Sequence, residues 1–196
     1  MVRNDFLKTY VDATAHAEVI CGGYQVLKGP DGNLRYLYEH AAEKNKSVEQ
    51  RLKHPYHSFF ASNFMIKRDI FLQHPFDSRF YKYGYEDVLL GRQLNEAGIT
   101  ITHINAPIGF LEYESNAYFL KKTEEAMETL YQFRDSLQGY SSILRVANRL
   151  RGNLLGTIFR KIFKWKRNAW EANLISRQPS LLIFKLYKLG YYMCCF

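Results

Sequence analysis

Two adjacent carboxylates, Glu86 and Asp87, stand between a Gly-Tyr pair and an apolar run in the segment GYEDVLLGRQL, residues 84–94. Two readings fit them. Acidic side chains are favoured in the first turn of a helix, where the positive end of the helix dipole stabilises them by roughly 0.3–1 kcal/mol. A carboxylate in that place is also held ionised at neutral pH, because the dipole lowers its pKa. An ionised carboxylate can take the proton from a hydroxyl as that oxygen becomes a nucleophile. The surroundings favour the second reading. Gly84 lets the backbone turn sharply before the helix. Tyr81, Tyr83 and Tyr85 offer flat amphipathic faces that suit sugar rings, or that fill a core or its rim.

Other chemistry-bearing residues stand more alone. His54 and His57 have the spacing of two metal ligands on one helical turn, but Pro55 argues against a helix there and no Cys or carboxylate completes the set. Gly22-Gly23 can cradle a phosphate, yet the same pair inside a strand equally marks a bulge or a close backbone approach. His103 sits in a strand and reads as a packed histidine. Arg92 and Glu96, four residues apart, read as an ion pair on a helix surface. Three cysteines are too few for a disulfide framework, and Cys21, Cys194 and Cys195 lack zinc-finger spacing, which favours a reducing, cytoplasmic setting.

The elements that must position these residues alternate in type. Asp5 to Ala17 has a helical face of Phe6, Leu7, Tyr10 and Val11. EVICGGYQVL reads as a buried strand and GPDGN as a turn. Residues 38–52 are a polar helix or ordered loop, and HPYHSFFASNFMIK returns to strand character. Arg68 to Gln73 is a short helix stopped by His74-Pro75. Val88 to Ala97 is a helix whose core contacts are Val88, Leu90, Leu94 and Ala97, ended by Gly98. ITITHI is a strand, NAPIG a turn, and Tyr118 to Phe133 a long helix. Ser141 to Lys166 reads as one amphipathic helix with Ile143, Ala147, Leu150, Leu154, Ile158 and Ile162 in a stripe. The order is that of an α/β fold. No G-x-G-x-x-G or Walker pattern occurs. With 47% hydrophobic and 23% charged residues, the chain can build a packed core.

The block SNFMIKRDIFLQHPFDSRFYKYGYEDVLLGRQLNEAGI resembles the acceptor-side segment of family 2 glycosyltransferases of the GT-A fold. EVICGGYQVL upstream and ITITHINAPIGFLEYESNAYFLKKTEEAMETL downstream resemble that family in order and spacing, so the resemblance runs from Met1 to about Leu130. It implies a partial GT-A, Rossmann-like domain over residues 1–139, followed by a basic helical extension over 140–196. It implies inverting transfer of a sugar from a nucleotide-sugar donor to a hydroxyl of a polysaccharide or lipid-linked acceptor. Asp87 would be the catalytic base, with Glu86 hydrogen-bonding the acceptor. Asn63, Gly84 and Tyr85 would lie at the acceptor pocket, although Asn63 equally reads as a strand-end cap or turn contact. The complete family enzyme uses a divalent metal, Mg or Mn, held by an Asp-x-Asp ahead of a segment resembling MVRNDFLKTY. The expectation is therefore that the motif and the nucleotide-binding βαβ half are missing here, that Met1 is an internal methionine, and that the chain cannot turn over alone. Phe110 stands where many relatives place a metal-ligating histidine.

Charge is divided unevenly. Residues 1–139 carry 16 Lys+Arg against 18 Asp+Glu, whereas residues 140–196 carry 11 against 1, Glu171. Arg145, Arg149, Arg151, Arg160, Lys161, Lys164, Lys166 and Arg167 accompany the apolar stripe and Trp165. That composition suits a helix lying in the plane of an anionic membrane surface, here the inner membrane face. It also suits a stripe packed on the protein with its charges in water. No nucleic-acid motif accompanies the charge, so no nucleic-acid partner is expected. PSLLIFKLYKLGYYMCCF is too short to span a bilayer and is interrupted by Lys185 and Lys188. The rival to an enzyme is a non-catalytic, membrane-associated interaction protein on a degenerate transferase scaffold.

Overall fold

The computed structural model describes residues 2, 4–110 and 112–195, the side chain of Lys44 excepted. Met1, on which the expectation about the chain start rests, lies outside the described residues. In chain order the elements are α1 (Phe6–Thr14), β1 (Val19–Cys21), β2 (Tyr24–Val26), α2 (Leu34–Ala42), α3 (Val48–Lys53), β3 (Phe64–Ile66), α4 (Arg68–Gln73), α5 (Glu86–Glu96), β4 (Ile101–His103), β5 (Ile108–Phe110), α6 (Asn116–Gln132), α7 (Ser142–Leu150), α8 (Leu154–Ile175) and α9 (Leu181–Cys194). This is a mixed α/β fold, rich in helix, with small sheets. It packs as two units: residues 1–28, 39–79 and 86–112, and residues 29–38, 80–85 and 113–196.

In the first unit β1 is the central strand, antiparallel to β3 and parallel to β4. All three β1 residues are buried, as a strand covered on both faces requires. Alternation sends Val19 and Cys21 into one cluster with Phe59, Leu90, Leu94 and Ile101, and Ile20 into another with Tyr10 and Ala106. So α5 packs on one face of β1 and α1 on the other. Only Tyr10 of the helical face expected in α1 is buried, while Leu7 and Val11 face solvent. In α5 the buried residues are Leu89, Leu90, Gly91 and Leu94, so Ala97 is not a core contact. Gly98 (φ +70°) ends the helix, and the Ile99 amide turns back onto the Leu94 carbonyl at 2.9 Å.

The strand expected over residues 18–27 is interrupted at Gly22-Gly23, and β2 leaves it to pair in parallel with β5. Part of NAPIG is therefore strand. HPYHSFFASNFMIK holds a 3-10 turn at Pro55–Ser58, and only Phe64–Ile66 is extended strand.

In the second unit the core of Leu34, Phe119, Leu120, Phe163, Leu174, Phe184 and Tyr187 lies among α6, α8 and α9. α6 packs with α8 and α9. The single helix expected over residues 141–166 is two. Gly152 takes φ +75°, and the Asn153 side chain caps α8 by accepting from the Gly156 amide at 2.8 Å. The break splits the stripe: Ala147 is buried, whereas Leu154, Ile158 and Ile162 are exposed. Among the described residues, no helix is long and apolar enough to cross a membrane.

Candidate active site

The chain enters α5 through two consecutive left-handed residues, Gly84 (φ +98°) and Tyr85 (φ +70°). Tyr85 is the only non-glycine residue with positive φ among the described residues. An aromatic residue in that conformation costs on the order of 1–2 kcal/mol. Such strain persists where the surroundings enforce it, and it clusters at functional sites. At Gly84 a β-carbon would lie 2.9 Å from that of Ala126, so the position is closed to side chains sterically as well as conformationally.

Glu86 and Asp87 follow as the first two residues of α5. An Asp87 carboxylate oxygen accepts from the Val88 amide at 2.8 Å, and the Ala61 backbone also hydrogen-bonds the group. Those donors favour the ionised form. Burial opposes them and is the larger effect, and the neighbouring Glu86 carboxylate adds to it. The outcome is a pKa raised to about 6. This reverses the expectation that the helix dipole would lower it: removal from water outweighs the dipole and the amides together. Asp87 is still mostly ionised at pH 7, and a better proton acceptor than an ordinary aspartate. Among the described residues, the Oε2 atom of Glu86 is buried without a hydrogen-bond partner. Native proteins rarely leave a buried carboxylate oxygen unpartnered.

Asn63 takes the structural one of its two readings. Its carbonyl oxygen accepts from the Tyr10 hydroxyl at 2.7 Å, and its amide nitrogen donates to the carbonyls of Gly23 at 2.6 Å and Ala106 at 2.8 Å. The side chain is buried, and both of its N–H donors are committed to the fold. It anchors the turn Phe60–Asn63, and that turn carries Ala61 to Asp87. Asn63 thus positions the carboxylate's neighbour.

Gly22-Gly23 is a close approach and not a phosphate cradle. A β-carbon on Gly23 would meet the Arg51 guanidinium at 2.7 Å, and one on Gly22 would meet the Ala106 carbonyl at 2.5 Å. Arg51, only 3% exposed, donates to the carbonyls of Cys21, Gly22, Ile104 and Lys46 over 2.9–3.2 Å. It also reaches Nδ1 of His103 at 2.9 Å, while Nε2 of His103 lies 2.9 Å from the Pro55 carbonyl. These partners assign His103 as neutral, with the proton on Nε2. Burial, with Arg51 beside it, lowers its pKa, as the packed reading requires. Nothing in the sequence around Arg51 marked it as an interior residue.

Arg92 and Glu96 form the expected ion pair at 2.7 Å. The rings of His54 and His57 lie 6.2 Å apart and nearly perpendicular. Among the described residues no three His, Cys, Asp or Glu side chains gather as a metal-holding group. The described residues thus offer no ligand set that fits a divalent ion.

No family model, no curated protein and no solved structure matches this chain.

Proposed function

We propose that this chain supplies the acceptor side of an inverting glycosyltransferase of family 2 with a GT-A fold. Asp87 is the base. The carboxylate takes the proton of an acceptor hydroxyl as its oxygen bonds to the anomeric carbon of a nucleotide sugar, and the bond from that carbon to the nucleoside diphosphate breaks. Glu86, through its unpartnered oxygen, receives an acceptor hydroxyl and orients it. The observation that supports this reading is the pairing of a carboxylate with a pKa of about 6 and an orphaned neighbour on an enforced left-handed turn. The acceptor is a polysaccharide or a lipid-linked glycan at the cytoplasmic face of the inner membrane.

Two measurements test this. Purified alone, the 196-residue chain is expected to transfer no sugar from any nucleotide sugar; transfer by it would overturn the division between donor and acceptor sides. In cells whose surface or lipid-linked glycan depends on the gene, Asp87→Asn is expected to abolish labelled-sugar incorporation at undiminished protein level. Unchanged incorporation there would instead support the non-catalytic interaction protein.

A further inference from the structure

Helix α8 is apolar on two opposite faces, and only one of them is used. Gly156, Phe163 and Leu174 are buried and, at 3.6 residues per turn, cluster on one side of the helix. Leu154, Leu155, Ile158, Ile162 and Trp165 fall within an arc of about 100° on the other side, over a length of about 16 Å. All five are exposed, Leu154 at 73%, Leu155 at 68% and Trp165 at 76%. Lys161 and Lys166 border this stripe on its two edges, and the Lys166 ammonium lies 4.0 Å from the Trp165 ring. Arg160, Lys161, Lys164 and Lys166 enter no ion pair among the described residues; Arg167, facing Glu171 and Glu124, does.

We propose that this outer face of α8 docks flat on an anionic membrane surface, with the apolar stripe at the acyl boundary and the lysines among the headgroups. Its position is fixed by the bundle, because the inner face is held by the core it shares with α6 and α9. The helix therefore reaches the surface already ordered, without the entropy cost of folding there. The charge selects the occupant. A second copy of the same face would bring unpaired cations against each other, and nucleic acid would leave the five apolar side chains in water. A bilayer carrying anionic lipid accepts both the stripe and its rim. This surface stands independently of the transfer chemistry at Asp87.

Vesicle flotation tests it. The protein is expected to bind vesicles containing about one-third phosphatidylglycerol, to leave vesicles of pure phosphatidylcholine unbound, and to release when salt rises from about 0.1 M to about 0.5 M. Leu155→Glu should cut binding more than tenfold, and Lys161→Ala or Lys166→Ala about fivefold each, at about 1 kcal/mol per cation. Leu182→Glu, on exposed α9 surface away from the stripe, should change nothing, and circular dichroism should report every variant folded. The proposal is overturned if folded wild type ignores anionic vesicles, if it binds neutral vesicles equally, or if Leu155→Glu binds like wild type. It is equally overturned if light scattering finds a wild-type dimer that Leu155→Glu dissolves.

Discussion

Asp87 and Glu114 are both carboxylates drawn out of water, and their surroundings drive them in opposite directions. Burial alone would raise both. Around Glu114, hydrogen bonds from Arg35 at 2.5 Å and Lys122 at 3.1 Å overcome it, and the pKa falls below the ordinary glutamate value. Asp87 is deeply buried, Glu86 beside it adds negative charge, and among the described residues it receives backbone amides but no cation, so its pKa rises to about 6. Deep burial without a cation thus yields a poised base at Asp87, and shallower burial beside two cations a fixed charge at Glu114. Glu114 is a structural acid, tied with Asn33, whose amide donates to the Glu114 carbonyl at 2.8 Å.

The comparison is broken most severely at its chemical end. Asp87→Asn is expected to lower transfer by about 10²–10⁴-fold, measured as sugar incorporation with the remaining machinery present, whereas Glu114→Gln should leave transfer within a few-fold of wild type. Next in size is Arg35→Met. Removing the guanidinium leaves the Glu114 carboxylate with Lys122 alone, so stability should fall by about 2 kcal/mol in urea unfolding. The Glu114 carboxyl should then titrate upward in carbon-13 NMR, toward the behaviour of Asp87.

The third test uses sign. Asp87 binds its proton more tightly folded than unfolded, so it stabilises the fold at low pH. That contribution is lost as pH rises from its unfolded pKa near 4 through about 6. Glu114 does the reverse: it contributes above its unfolded pKa and loses that contribution as pH falls. Asp87→Asn should accordingly raise stability at pH 7 by on the order of 2 kcal/mol and flatten the decline between pH 4 and 6. A variant that is less stable at pH 7 would contradict the raised pKa. The smallest effect belongs to the turn. Tyr85→Gly should stabilise the chain by up to about 1 kcal/mol through relief of the left-handed strain. Thermal unfolding measures it.

What the sequence discloses here follows the range of the interactions. α4 begins and ends where expected because His74-Pro75 is a local stop. The start of α5 was announced by its acids and preceding glycine. The helix break at Arg151-Gly152-Asn153 was just as local, but the apolar repeat ran on across it and hid the glycine and its capping asparagine. The identity of Asp87 as a candidate base was readable from type and position. Its pKa was not, because it is a balance between burial, which raises it, and hydrogen bonds that lower it, one of them from the sequence-distant Ala61 turn held by Asn63 and Tyr10. Arg51 was still less legible, since all its partners but His103 are backbone carbonyls, spread from Cys21 to Ile104, and carbonyls leave no mark in a sequence.

That same arginine has a consequence for how the first unit opens. Its guanidinium bridges the end of β1, the residue after β4 and the turn ahead of α3, so none of the three can swing away without stranding a buried cation. Opening one therefore entails opening all. In hydrogen exchange, the slow amides of β1, β4 and α3 should share a single opening free energy and move together as denaturant is added, a cooperative block clasped by one side chain.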